Sequence, residues 1–149
     1  MDTETIFVYR TVIEKIKSHT EHTFPAEGCG VLLTDNNDVA GHISITDAYI
    51  IQNTAGNSRN RDYFSIDPIT LLEAEKTAYK NKLTVAGFFH SHPDREAIPS
   101  AEDERYMVPG QLYLIASVVK GVFTGIRGYF KNDPGEEIRE VKISGCTGI

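Results

Sequence analysis

Three side chains midway along the 149-residue chain are of the kinds that hold a metal ion and put it to work: His90, His92 and Asp103. The apolar run Val85-Ala86-Gly87-Phe88-Phe89 leads into the histidines and has the length of a buried strand. On an extended backbone, side chains two residues apart share a face, so both imidazoles project to the same side. Pro93 ends the ladder pairing, and a polar loop carries the chain to Pro99-Ser100. Ser100-Ala101-Glu102-Asp103 reads as a helix start that sets Asp103 one turn in. Two imidazoles and a carboxylate, with a fourth position left for water, are the pattern of a catalytic rather than a structural zinc. A mixed nitrogen and oxygen set without thiolates suits zinc and does not exclude manganese or iron. Each half has a plainer reading, because Ser-x-x-Asp is also an ordinary helix cap with an acid complementing the dipole. The combination is far more specific than either half.

These residues need elements to carry them. Val12, Ile13 and Ile16 recur at helical spacing within residues 9–20, a short amphipathic helix ended by Phe24-Pro25, with His19 and His22 expected at its solvated end. Cys29 to Thr34 reads as a strand and 35–38 as a turn. Val39 to Gln52 reads as an antiparallel partner, residues 53–62 as a polar loop, and Tyr63-Phe64-Ser65-Ile66 as a further strand. Asp67 suits the N-cap and Pro68 the first turn of a helix ending near Asn81. Beyond the helix at Ser100, Gln111–Val119 and Val122–Phe130 form a hairpin about Lys120-Gly121. A last strand lies near Ile138–Ile143, with residues from Ser144 expected to fray. The order describes a mixed α+β fold, a largely antiparallel sheet with helices packed on it.

His90-x-His92, seven further residues, Ser100-x-x-Asp103 and the upstream Glu27 of Pro25-Ala26-Glu27-Gly28-Cys29-Gly30-Val31-Leu32-Leu33 together resemble the motif of JAMM (MPN-type, Mov34/PAD-1) zinc metalloproteases. The context is similar to that of the small stand-alone prokaryotic members. The resemblance implies one domain over residues 1–149, with a curved, largely antiparallel sheet between helices and an architecture shared with cytidine deaminases. It implies one zinc ion per chain on His90, His92 and Asp103, with Glu27 as general base and Ser100 as a donor to the developing oxyanion. Glu27 takes that role from the resemblance alone, since by itself it reads as a surface carboxylate. Deaminase chemistry needs Pro-Cys-x-x-Cys beside its His-x-Glu, and no Pro-Cys-x-x-Cys is in the sequence.

The implied reaction is hydrolysis of a peptide or isopeptide bond at the C-terminus of a ubiquitin-like protein. Few residues separate Asp103 from Gln111, which leaves no room there for a long insertion and resembles prokaryotic members that trim sulfur-carrier proteins. A substrate tail is expected to add along a sheet edge, with Arg59 or Arg61 either meeting a carboxylate or lying in a solvated loop. Two other readings stand beside this one. MPN-type scaffolds have lost the metal, but no ligand position is missing here; a small amide or cell-wall peptide is the alternative substrate.

A net charge of -6 and no cluster of Lys or Arg argue against a nucleic-acid partner. The sequence has no stretch long and apolar enough to span a bilayer, and an acidic Met1-Asp2-Thr3-Glu4 start, so a cytoplasmic protein is expected. Cys29 and Cys146 are too few for a disulfide framework. Cys29 lies two residues from Glu27, on the same face of a strand, which raises a thiol-nucleophile reading; an apolar run with no adjacent cation favours buried packing instead.

Overall fold

The computed structural model describes residues 5–36, 42–56 and 64–146. In chain order the elements are β1 (Thr5–Tyr9), α1 (Arg10–Thr23), β2 (Cys29–Thr34), β3 (Ser44–Ile45), β4 (Asp47–Ile51), α2 (Pro68–Lys80), β5 (Thr84–Pro93), α3 (Ala101–Tyr106), β6 (Leu112–Val119), β7 (Val122–Phe130) and β8 (Arg139–Cys146). The strands form one sheet in the order β3-β1-β8-β7-β6-β5-β2-β4. β2 pairs antiparallel with β4 and β5, and β7 with β6 and β8, while β1 runs parallel to β3 and β8 and β5 runs parallel to β6. β3 and β4 sit at opposite edges although Thr46 alone separates them, so the sheet must curl until its edges approach. Thr46 N–H donates to the Leu33 carbonyl at 2.9 Å and ties the two edges together.

Alternation along β2 divides the core into two layers. Leu32 joins Val12 and Ile16 of α1 on one face, whereas Val31 and Leu33 join Ala74 and Ala78 of α2 on the other. The α+β fold, with its curved sheet between helices, is thus the one expected. Gly87 is required at the centre of β5, because a Cβ there would run into the Leu112 backbone. Lys120 and Gly121 both have positive φ (51° and 83°), as the primed turn of the β6–β7 hairpin demands.

Four elements depart from the sequence reading. β1 is a strand that the reading lacks: Ile6 and Val8 are buried, but the alternation lasts only five residues. The single strand expected from Val39 breaks at Thr46 into β3 and β4; residues 39–41 lie outside the described ones. Phe64, Ser65 and Ile66 are not a strand. Ser65 is held locally instead, its N–H on Asn53 Oδ1 at 3.0 Å and its carbonyl accepting from Thr54 N–H at 2.9 Å. Ser144 to Cys146 do not fray, because β8 pairs with β1 as far as Tyr9↔Cys146.

His19 is also not at a solvated helix end. It lies edge-on to Phe89 at 6.3 Å, and burial lowers its pKa, with His22 adding to the effect. Among the described residues no helix is long and apolar enough to cross a membrane.

Candidate active site

β5 delivers both histidines as its pattern requires. His90 and His92 are 1% and 2% exposed and face the same side of the sheet. Asp103 arrives from α3, where Ser100 is the N-cap of a complete capping box: Asp103 N–H donates to Ser100 Oγ at 3.0 Å, and Ser100 N–H donates to Asp103 Oδ2 at 2.9 Å. That box aims Oδ2 at the histidines. His90 Nε2 and His92 Nε2 are 3.2 Å apart and stand 3.2 and 3.0 Å from Oδ2. Burial alone would raise the Asp103 pKa, but the two imidazoles and the Ser100 N–H outweigh it and hold the carboxyl well below the usual carboxylate range. Burial also lowers the His90 pKa.

These atoms are arranged for a cation. The Glu96 carbonyl can only accept, so the 2.8 Å contact with His92 Nδ1 puts the proton on that nitrogen and leaves a lone pair on Nε2. A ring nitrogen lone pair, a second ring nitrogen and a carboxylate oxygen then converge on one point. Donors around a tetrahedral zinc at ~2.0–2.2 Å stand about 3.3–3.6 Å from one another. The observed separations of 3.0–3.2 Å are slightly shorter than that spacing, and the donor chemistry suits zinc. The Glu96 carbonyl is the backing acceptor expected for a ligating imidazole. Among the described residues His90 Nδ1 has no such acceptor; its ring is held by stacking on Phe64, with centroids 4.6 Å apart.

Glu27 stands two residues before β2, the strand that pairs with β5. Cys29 pairs with His90 and Val31 with Phe88, so Cys29 and Val31 lie on the histidine side. Gly28 extends that pairing: its carbonyl accepts from Ser91 N–H at 3.0 Å and its N–H donates to Ser91 Oγ at 2.8 Å. Continued one residue further, the register sets Glu27 across from His92. Glu27 is not a surface carboxylate. It is 1% exposed and ion-paired to Arg95 Nη2 at 2.7 Å, and its carbonyl accepts from Asn53 at 3.0 Å.

The sequence reading lacks Arg95, Ser91 and Asn53. Arg95 could have been noticed as the sole basic residue between His92 and Asp103. Arg59 and Arg61, considered for substrate contact, lie outside the described residues. Cys29 is fully buried, with its thiol on the Ile51 carbonyl. Burial and then the charge of Glu27 push its pKa up to about 12, which rules out a resting thiolate. Beside His90 and Asp103 opens a cavity of about 280 Å³, walled by Phe64, Ile66, Phe88, Tyr106, Val108 and Tyr113.

Residues 10–128 match the family described as prokaryotic homologs of the JAB domain. The chain belongs to that family. Its fold agrees: a solution structure of a Desulfitobacterium hafniense protein superposes with a TM-score of 0.78 at 28% identity, over 95% of this chain and 92% of the other. One from Salinibacter ruber does so with a TM-score of 0.72 at 28% identity, with the same coverage. Two JAMM-type relatives carry functional names. A desampylase of Haloferax volcanii is 38% identical over 97 residues, 62% of this chain. A probable TtuB-protein conjugate cleaving protease of Thermus thermophilus is 29% identical over 107 residues, 70% of this chain. The matched region spans 63% and 66% of the length of those two relatives. The JAMM resemblance read from the motif is thereby established, and the motif residues His90, His92, Ser100 and Asp103 all fall within the matched stretch, as does Glu27.

Proposed function

We propose that this JAB-family protein is a zinc-dependent peptidase that hydrolyses the bond at the C-terminus of a ubiquitin-like protein. The observation that carries the reading is the convergence of His90, His92 and Asp103 donors at 3.0–3.2 Å. Zinc, when bound, acidifies water and polarises the scissile carbonyl. His90, His92 and Asp103 hold it, one ion per chain. Glu27 takes a proton from the attacking water and returns it to the departing nitrogen. Ser100 Oγ already accepts from Asp103 N–H, and its own O–H donates to the oxyanion of the tetrahedral intermediate. The relatives that act on conjugates support the substrate class, and the aromatic cavity beside His90 offers a place for a side chain of the substrate. Within that class the compact span between α3 and β6 favours a sulfur-carrier protein.

Elemental analysis and mass spectrometry test the reading together. About one zinc per chain is expected, together with cleavage after the terminal Gly-Gly of a ubiquitin-like carrier bearing a short C-terminal extension. Zinc without cleavage of any ubiquitin-like substrate would redirect the site to small amides or cell-wall peptides. No metal in any preparation would make the domain a scaffold.

A further inference from the structure

We propose that Arg95 is a positioning residue for Glu27, aiming that carboxylate from a loop that five neighbouring hydrogen bonds clamp in place. The inference rests on the reading of Glu27 as the base. The ion pair is short, 2.7 Å from Nη2 to Oε2, and joins a carboxylate 1% exposed to a guanidinium 36% exposed. A buried carboxylate keeps its charge only with a partner, and a planar guanidinium fixes direction where an ammonium supplies only charge.

The backbone beneath Arg95 is unusually well held. Three consecutive carbonyls each take a side-chain donor from a different strand: Arg95 from Ser117 of β6, Glu96 from His92 of β5, and Ala97 from Tyr129 of β7. Just before them Asp94, at φ 55°, donates its N–H to the Val118 carbonyl at 2.7 Å and accepts Lys120 N–H at 2.8 Å. This turn orients the ring of His92 through Glu96 and the carboxylate of Glu27 through Arg95. One rigid loop therefore sets the metal ligand and the base relative to each other, although Glu27 and Arg95 lie 68 residues apart. Small misplacements of reacting groups cost rates about 10²-fold.

Two measurements on the zinc-loaded protein test this. Thermal unfolding of Arg95→Ala, in the wild-type and Glu27→Gln backgrounds, reads the pairing without any substrate. The Tm should fall in the first and hardly move in the second, where a neutral amide has no charge to balance. Equal losses in both overturn the proposal. Steady-state cleavage of a ubiquitin-like carrier extended past its Gly-Gly by a short peptide reads the positioning. Arg95→Ala should lower kcat by about 10- to 100-fold with KM and zinc content unchanged, and Arg95→Lys should recover part of the loss. A wild-type kcat overturns positioning, and so does a rise in KM alone, which would make Arg95 a substrate contact. If the wild-type protein cleaves no ubiquitin-like substrate, the substrate assignment fails, while the unfolding comparison still decides whether Arg95 holds Glu27.

Discussion

At the scale of single residues, the proposed mechanism assigns metal holding and proton transfer to different side chains, and substitutions should separate them. Glu27→Gln preserves the shape of the side chain and leaves His90, His92 and Asp103 unchanged, so zinc should stay at one per chain while turnover falls by ~10²–10⁴-fold. His92→Ala removes a ligand and should abolish zinc binding; elemental analysis beside a cleavage assay distinguishes the two variants. Retained turnover in Glu27→Gln would remove it as the base. Ser100 Oγ caps α3, and the proposed mechanism gives its O–H a second duty at the oxyanion. Ser100→Ala should therefore cost ~10²–10³-fold in kcat and, separately, about 1 kcal/mol of stability from the lost cap. The two losses are read by kinetics and by denaturant unfolding. A stability loss with unchanged kcat would leave Ser100 as a cap alone.

At the scale of elements, the strand–loop–helix unit from β5 to α3 is what turns a sequence motif into a site. That unit was legible because its instructions are local: a period of two places the histidines, and Ser100 to Asp103 writes its own cap. Cys29–Thr34 and the Lys120-Gly121 hairpin were legible for the same reason. What stayed hidden depends on contacts distant in sequence. Nothing near Glu27 announces that β2 pairs antiparallel with β5, and nothing near Thr46 announces that one apolar stretch serves two edges of the sheet. Arg95 was hidden likewise, since its partner lies across that β2–β5 register. The register tolerates little, because Gly87 passes directly against the Leu112 backbone of β6. Gly87→Ala should force β5 and β6 apart and destabilise the protein by at least ~2 kcal/mol. Chemical denaturation measures this, and an unchanged midpoint would mean that the strands are less tightly apposed than they stand here.

At the scale of the whole molecule, the hydrophobic layers and the proposed metal ligands are distinct sets of residues. Neither the layer against α1 nor that against α2 includes His90, His92 or Asp103. Stripping zinc with a chelator should thus stop turnover while far-ultraviolet circular dichroism stays native, in contrast to small domains that fold around their metal. The stripped protein should then report its buried ionisable groups. His90, lowered by burial, resists protonation in the folded chain, whereas the unfolded chain takes up that proton near pH 6.5. Asp103, held low by its partners, acts in the same direction at more acidic pH. Both groups bind protons more readily when unfolded, so stability rises with pH across these ranges. The His90 contribution is complete above about pH 6.5 and is lost as the pH falls below it; that of Asp103 is lost below the ordinary carboxylate range. A Tm that is level from about pH 8 to 7 and declines towards pH 5 is the expected profile of the metal-free protein. A Tm that rises on acidification through pH 6 would mean that the folded chain prefers a charged His90, which is incompatible with a ring poised to offer its lone pair to a metal.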